Sequence, residues 1–414
     1  MACAAYSQSP LGWSAEPAAL PRIDPRDVPG TVMVIASPSF DAQLAECFLD
    51  HIHENGSVAV VTLSSSDNVS ESAWDQVWPA SRVGRISFLT PDSLTSGPEA
   101  ERWDLTSYDG VWISAPEQPS FSLTHLGHQC RGILARNGTV AVAGPISRLV
   151  FSHGTTGETA QSEAGWDLIP DSQWHPGAKG ASDEQLPSAK LACPHSILFT
   201  MDCQSGLILS GRRIWSVTRS PVRLVLPESR VWPERIVRLS AEPLDFTAIR
   251  RAARARIRET LPSKTPADEM PQAEVAQGTL MLVGGGELPD GLIERFVHLA
   301  GGNAAQIVIL PTALPDPIPC DNPMSRRFAK AGARTVTVLP QRELAEIASD
   351  EFLNPLRSAT GVWLDGGRQW RYVDALEDTL ALEAVFELLR RGGIVGGSSA
   401  GASIQAEYLV RGNP

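Results

Sequence analysis

The sequence predicts an α/β protein made of two tandem parallel-sheet domains, and three observations carry that reading. Short apolar runs such as Thr31-Val32-Met33-Val34-Ile35 alternate with segments of helical period such as Leu44, Phe48 and Ile52. Buried strands alternating with helices are the signature of a parallel sheet covered on both faces. The same order then recurs. Gly278-Thr279-Leu280-Met281-Leu282-Val283 echoes Gly30-Thr31-Val32-Met33-Val34-Ile35, and Gly361-Val362-Trp363-Leu364 echoes Gly110-Val111-Trp112-Ile113. The offset drifts only from 248 at the first strand to 251 at the fourth, which one small loop insertion explains. Third, the strands of the second copy run into glycine-bearing turns, at the sheet edge where open α/β folds bind ligands.

Taken in order, residues 1–29 are proline-rich and read as a flexible arm. They lack the basic-then-apolar order of a signal peptide. A first domain spans 30–235. Its strands are Thr31 to Ile35, Val58 to Leu63, Arg85 to Leu89, Gly110 to Ile113 and Thr139 to Ala143, with a helix from Asp41 to His53. Residues 236–277 read as a helix and linker. Leu244 to Leu261 carries Arg250, Arg251, Arg254, Arg256 and Arg258, while Phe246, Ile249, Ala253 and Ile257 form one apolar stripe. That pattern predicts a docked helix with a solvated basic face. The second domain, 278–414, holds strands at Thr279, Ile307, Thr335, Gly361 and Ile394. A helix from Tyr372 to Arg391 is expected to bury Leu382, Val385, Phe386 and Leu389.

Composition narrows the function classes. A net charge of −12 argues against a general nucleic-acid binder. No apolar run approaches the roughly 20 residues a membrane helix needs, so no membrane partner is expected. The six cysteines include no C-x-x-C pair, which fits reduced thiols of a cytoplasmic protein. The eight histidines include no H-E-x-x-H, so neither a metal nor a cofactor is expected. A homodimer is left open.

The chemistry concentrates near the end. Gly397-Ser398-Ser399-Ala400-Gly401 is G-x-S-x-G, preceded by a short apolar run and followed by small residues. That is the strand-to-helix setting of a nucleophile elbow, in which Ser399 projects from a tight bend and neighbouring amides face a developing oxyanion. Two more turns converge on the same edge. Gly284, Gly285, Gly286 and Glu287 end the first strand, so a ligand can approach Gly285 and Gly286 closely. Asp365-Gly366-Gly367-Arg368-Gln369 ends the fourth, where the amides of Gly366 and Gly367 can meet an oxyanion and Gln369 can fix a peptide group. Glu287 and Asp365 can attract a cationic side chain. The first copy has Ala143-Gly144-Pro145-Ile146 against the elbow and Ala115-Pro116 against Gly366-Gly367. It reads as structural, and the second copy as chemical.

At these residues the sequence resembles the cyanophycinase/dipeptidase E family of serine peptidases. The resemblance rests on Val283 to Glu287, Ile307 to Ala313, Gly366 to Gln369 and Gly396 to Ala402. It implies a flavodoxin-like, class I glutamine-amidotransferase-like fold and a serine nucleophile at Ser399. It also implies oxyanion donors from Gly367 and Ala400 and a substrate-positioning Gln369. The substrate it implies is cyanophycin or a related aspartyl peptide, cleaved through an acyl-enzyme. Arg368 stands where the family often has an acidic residue. In the family the histidine base follows the serine, whereas here His298 is the one histidine of the second copy. The second copy is therefore expected to be incomplete, and the chain as given weakly active or inactive. Two other readings stay open: an α/β-hydrolase-like esterase, and a non-catalytic pseudoenzyme or binding protein.

Overall fold

A computed structural model describes residues 22–24, 28–63, 71–77, 83–90, 104–115, 123–156, 161–176, 195–218, 220–226, 228–229, 232–256, 277–319 and 321–406. The chain divides into two compact units, Met1–Thr265 and Pro266–Pro414. The expected linker over 262–276 and most of the expected arm over 1–29 fall outside the described residues.

In the first unit, β1 (Val28–Ile35), β2 (Ser57–Thr62), β3 (Arg85–Leu89), β4 (Gly110–Ser114) and β5 (Thr139–Ala143) lie in the parallel order β1-β5-β4-β2-β3. Alternation of side chains sends Val32 and Val34 to one face and Met33 and Ile35 to the other. The Thr124–Ala135 helix covers the first face through Cys130, Ile133 and Leu134. The Ala42–Leu49 helix covers the second through Leu44, Ala45 and Phe48. Asp41 caps its start, accepting from the amides of Gln43 and Leu44, and it ends at Leu49, short of the expected His53.

Beyond β5 the described residues form nine further strands: β6 (Phe151–Thr156), β7 (Gln161–Ala164), β8 (Ile169–Pro176), β9 (Ile197–Met201), β10 (Gly206–Gly211), β11 (Arg213–Ser216), β12 (Val222–Leu226), β13 (Arg235–Leu239) and β14 (Leu244–Asp245). Strand β10 pairs antiparallel with β1 and extends the first sheet through β11 to β14. The rest form a six-stranded sheet in the order β13-β12-β9-β8-β6-β7.

The basic helix differs from expectation twice. Leu244 and Asp245 are strand, so the helix is Phe246–Ala255, opened by Asp245 accepting from the Ala248 amide at 2.9 Å. Its basic face is not wholly solvated. Arg250 and Arg254 are buried and converge on Asp171, with Arg250 Nε at 2.9 Å and Arg254 Nη2 at 2.8 Å. Burial pushes the Asp171 carboxyl up, but the two guanidiniums outweigh it and hold it below the usual carboxylate range. Phe246 and Ala253 meanwhile enter the first unit's core.

The second unit holds β15 (Thr279–Val283), β16 (Gln306–Leu310), β17 (Thr335–Val338), β18 (Gly361–Leu364) and β19 (Ile394–Ser398). They run parallel in the order β15-β19-β18-β16-β17. Position for position, this is the succession β1-β5-β4-β2-β3. On one face Phe296 and Phe328 pack edge-on to Trp363, at centroid distances of 5.5 and 5.6 Å. On the other, Phe352, Leu356 and Leu388 pack on Val308, Val362 and Val395. The helix expected from Tyr372 to Arg391 is two helices, Trp370–Leu376 and Leu380–Arg390. Between them Asp378 takes a positive φ of 55°, and the Thr379 hydroxyl caps the second helix. The new register turns Ala381, Ala384 and Leu388 inward, and Phe386 is left 54% exposed rather than buried.

Candidate functional site

Three turns meet at the carboxyl ends of neighbouring strands β15, β19 and β18. Ser399 follows β19 directly, with φ 51° and ψ −112°. Positive φ is strained for a residue with a Cβ, and such strain clusters at functional sites. The bend is anchored on both sides. The Ser399 amide donates to Val283 O of β15 at 2.9 Å, and the amides of Ala402 and Ser403 donate to Ser399 O at 3.0 Å. The chain then folds back over β18 so closely that a Cβ on Gly401 would lie 1.9 Å from Leu364 O. Glycine is required there.

Ser399 itself is exposed. Its flanks are bare backbone. A Cβ on Gly285 would meet Ser399 Oγ at 3.8 Å, and one on Gly366 would meet Ser399 Cβ at 3.4 Å. These two glycines make the hydroxyl accessible from the side. Gly286, at φ 104°, and Glu287 continue the β15 turn outward into solvent. Gly367, at φ 140°, presses against the turn that follows β16: a Cβ on it would lie 2.2 Å from Ala313 O. The next amide, Arg368 N, donates to the same carbonyl at 2.8 Å. Gln369 is half-buried at the start of the Trp370–Leu376 helix, and Ala400 opens the Ala400–Ser403 helix. The structure thus gathers Ser399, Gly285, Gly366 and the Gly367 turn at one rim, with Glu287 and Gln369 on its adjoining turns.

Asp365 departs from its expected place. Its side chain is not turned to solvent for a cationic partner, because it is buried and already bonded. Asn322 Nδ2 donates to it at 2.6 Å and Trp363 Nε1 at 3.1 Å. Burial pushes its carboxyl up, and those two donors only partly offset this. Tyr372, 1% exposed, donates from its hydroxyl to Leu310 O (2.8 Å) and Asp365 O (2.9 Å), tying the ends of β16 and β18 together. Asn322, Tyr372 and Ala313 brace the Gly366-Gly367 turn, and no sequence motif marked them for it. Changing Tyr372 to Phe should lower the stability of the second unit by about 1–2 kcal/mol. Denaturant unfolding followed by Trp363 fluorescence would measure it.

His298 lies in the last turn of the Leu292–Leu299 helix. That helix starts near the carboxyl end of β15 and runs back toward the start of β16, so His298 belongs to the opposite edge of the sheet from Ser399. Among the described residues, no group of three or more His, Cys, Asp or Glu gathers to hold a metal, and no helix is long and apolar enough to cross a membrane.

The first unit repeats the bend without the hydroxyl. Gly144 N donates to Ile35 O of β1 at 3.0 Å, and Ser147 N donates to Gly144 O at 2.9 Å. These are the anchors of Ser399 transposed, and Gly144 also has a positive φ, 87°. Gly144 therefore stands at the position of Ser399 and Pro145 at that of Ala400, where it has no amide proton to offer.

Residues 279–413 match the family model of Peptidase family S51. The chain is 29% identical over 160 residues to a cyanophycinase of Trichormus variabilis, covering 37% of this chain and 54% of that protein. It is 27% identical over 140 residues to a cyanophycinase of Geminocystis herdmanii, covering 33% and 52%. It is 30% identical over 138 residues to one of Synechococcus elongatus, covering 32% and 43%. The chain thus spans about half the length of the curated relatives it matches. Among solved structures, a peptidase from an acI-B1 Actinobacterium aligns at 15% identity and a TM-score of 0.37, over 53% of this chain and 98% of that one. The second unit is similar to the cyanophycinase and peptidase E family, as its motifs predict.

Proposed function

We propose that the second unit is a serine-type peptidase domain of the cyanophycinase type, acting on cyanophycin or related aspartyl peptides through an acyl-enzyme. One observation carries this reading: Ser399 sits exposed on a strained strand-to-helix bend, flanked by glycines, at the edge where three strands end. Its hydroxyl attacks the scissile carbonyl. The amides of Gly367 and Ala400 hold the oxyanion, and water then releases the acyl group. Gln369 orients the peptide, and Gly285, Gly286 and Glu287 line its approach. Glu287, exposed and unencumbered by burial, replaces Asp365 as the group that attracts an arginine side chain. The first unit is a degenerate copy of the same fold, its nucleophile position filled by Gly144.

A serine hydroxyl needs an adjacent base to attack efficiently at neutral pH. Among the described residues the second unit's one histidine lies at the wrong edge, so slow turnover is expected of this 414-residue chain. The same observation favours a second reading, a binding protein without catalysis. A fluorophosphonate probe separates the two. Covalent labelling of the chain, mapped to Ser399 by mass spectrometry, supports the peptidase. Prolonged exposure without a Ser399 adduct supports the binding protein.

A further inference from the structure

In the first unit, the bend at Gly144 leads into the 3-10 turn Pro145–Val150, which opens on a cavity of about 220 Å³. One wall is apolar, made by Leu123, Ile146, Leu149 and Trp166. Trp166 is set firmly: it packs so closely on the Thr124–Ala135 helix that a Cβ on Gly127 would lie 2.4 Å from its ring. The other wall carries charge. Arg148 has a side chain only 7% exposed, yet its guanidinium meets a single carboxylate among the described residues, Glu163, at a long 3.4 Å. Glu163 is itself 55% exposed. A guanidinium has five N–H donors, and a buried charge is costly unless paired and fully hydrogen-bonded. Arg131 adds a second guanidinium at the same cavity, steadied by Trp166 O at 2.5 Å and His128 Nδ1 at 2.8 Å. Two guanidiniums against one half-exposed carboxylate leave an excess of one positive charge beside an apolar wall.

We propose that this cavity binds a small monocarboxylate with an apolar body, of which the C-terminal residue of a peptide is one instance. The ligand carboxylate takes the open side of the Arg148 fork, a planar pairing for which guanidinium is suited. The apolar part lies against Trp166 and Leu149. Glu163 competes for the same fork and so weakens binding. At about 220 Å³ the space suits a single residue rather than a longer segment. The unit that lacks a nucleophile is then a binding module, and this assignment stands whether or not Ser399 reacts.

The test is calorimetric titration of the full chain, carrying Ser399→Ala, with N-acetyl-leucine and separately with N-acetyl-leucinamide. Expected is saturable binding of the carboxylate, with the amide about tenfold weaker or worse. Glu163→Gln should tighten the carboxylate several-fold, and Arg148→Gln should abolish its binding. Glu163 is on the surface, so the Glu163→Gln result decides the matter even if Arg148→Gln fails to fold. A site at the Ser399 rim would be indifferent to Glu163. The proposal is overturned by no saturable binding, by equal affinity for acid and amide, or by a Glu163→Gln variant that binds no more tightly.

Discussion

Replacing Ser399 with alanine should eliminate fluorophosphonate labelling and bring the slow hydrolysis of aspartyl-arginine substrates down to the uncatalysed background. The expectation follows from exposure and placement. The hydroxyl is reachable past Gly285 and Gly366, and among the described residues Ser399 is the serine that takes a positive φ. Stability should barely change, since alanine keeps the Cβ and the strained φ of 51°. Glycine is the informative companion. Ser399→Gly should remove the same chemistry and also raise stability by about 1 kcal/mol, because glycine accepts positive φ without the Cβ penalty. Paired assays of labelling and chemical denaturation on both variants would test this. Undiminished turnover in Ser399→Ala would remove this serine from the mechanism altogether.

Gly401→Ala should be the most disruptive single change at the rim. The added Cβ would fall 1.9 Å from Leu364 O and 2.6 Å from its carbonyl carbon, and backbone on both sides must move to admit it. A loss of about 3 kcal/mol or more in the second unit is expected, together with loss of probe labelling at Ser399. Gly284→Ala is the control. Nothing lies within 4 Å of its Cβ position, and its φ is not in the left-handed region. It should change stability by no more than about 0.5 kcal/mol. Hydrogen exchange across 394–403 would show whether the damage is local. Equal tolerance of both substitutions would contradict the close packing of this bend against β18.

Much of this was legible in the sequence because the parallel strands are buried on both faces. Val58 to Val61 and Ile307 to Leu310 read as unbroken apolar runs for that reason. The six-stranded sheet was not legible, since Gln161–Ala164 and Ile169–Pro176 are largely polar and lack a clear period of two. The break in the long helix was hidden because Asp378, not a glycine, adopts the positive φ. Long-range partners were hidden as well. Asp365 is buried by Asn322, 43 residues earlier, and Arg250 by Asp171, 79 residues earlier. At the rim, local glycine spacing pointed to Ser399, Gly285 and Gly367. The brace provided by Tyr372 and Ala313 depends on how β16 and β18 lie side by side, which no local pattern encodes.

The corner at Gly144 and the corner at Ser399 share a donation to the neighbouring strand-end carbonyl and a positive φ, and differ in the CH₂OH group and in proline for alanine at the next position. The shared geometry is therefore set by the arrangement of strands, with or without a hydroxyl. A scaffold of this kind can carry or omit a side chain at that corner without refolding, so the Gly144 corner is a natural blank for the hydroxyl of Ser399.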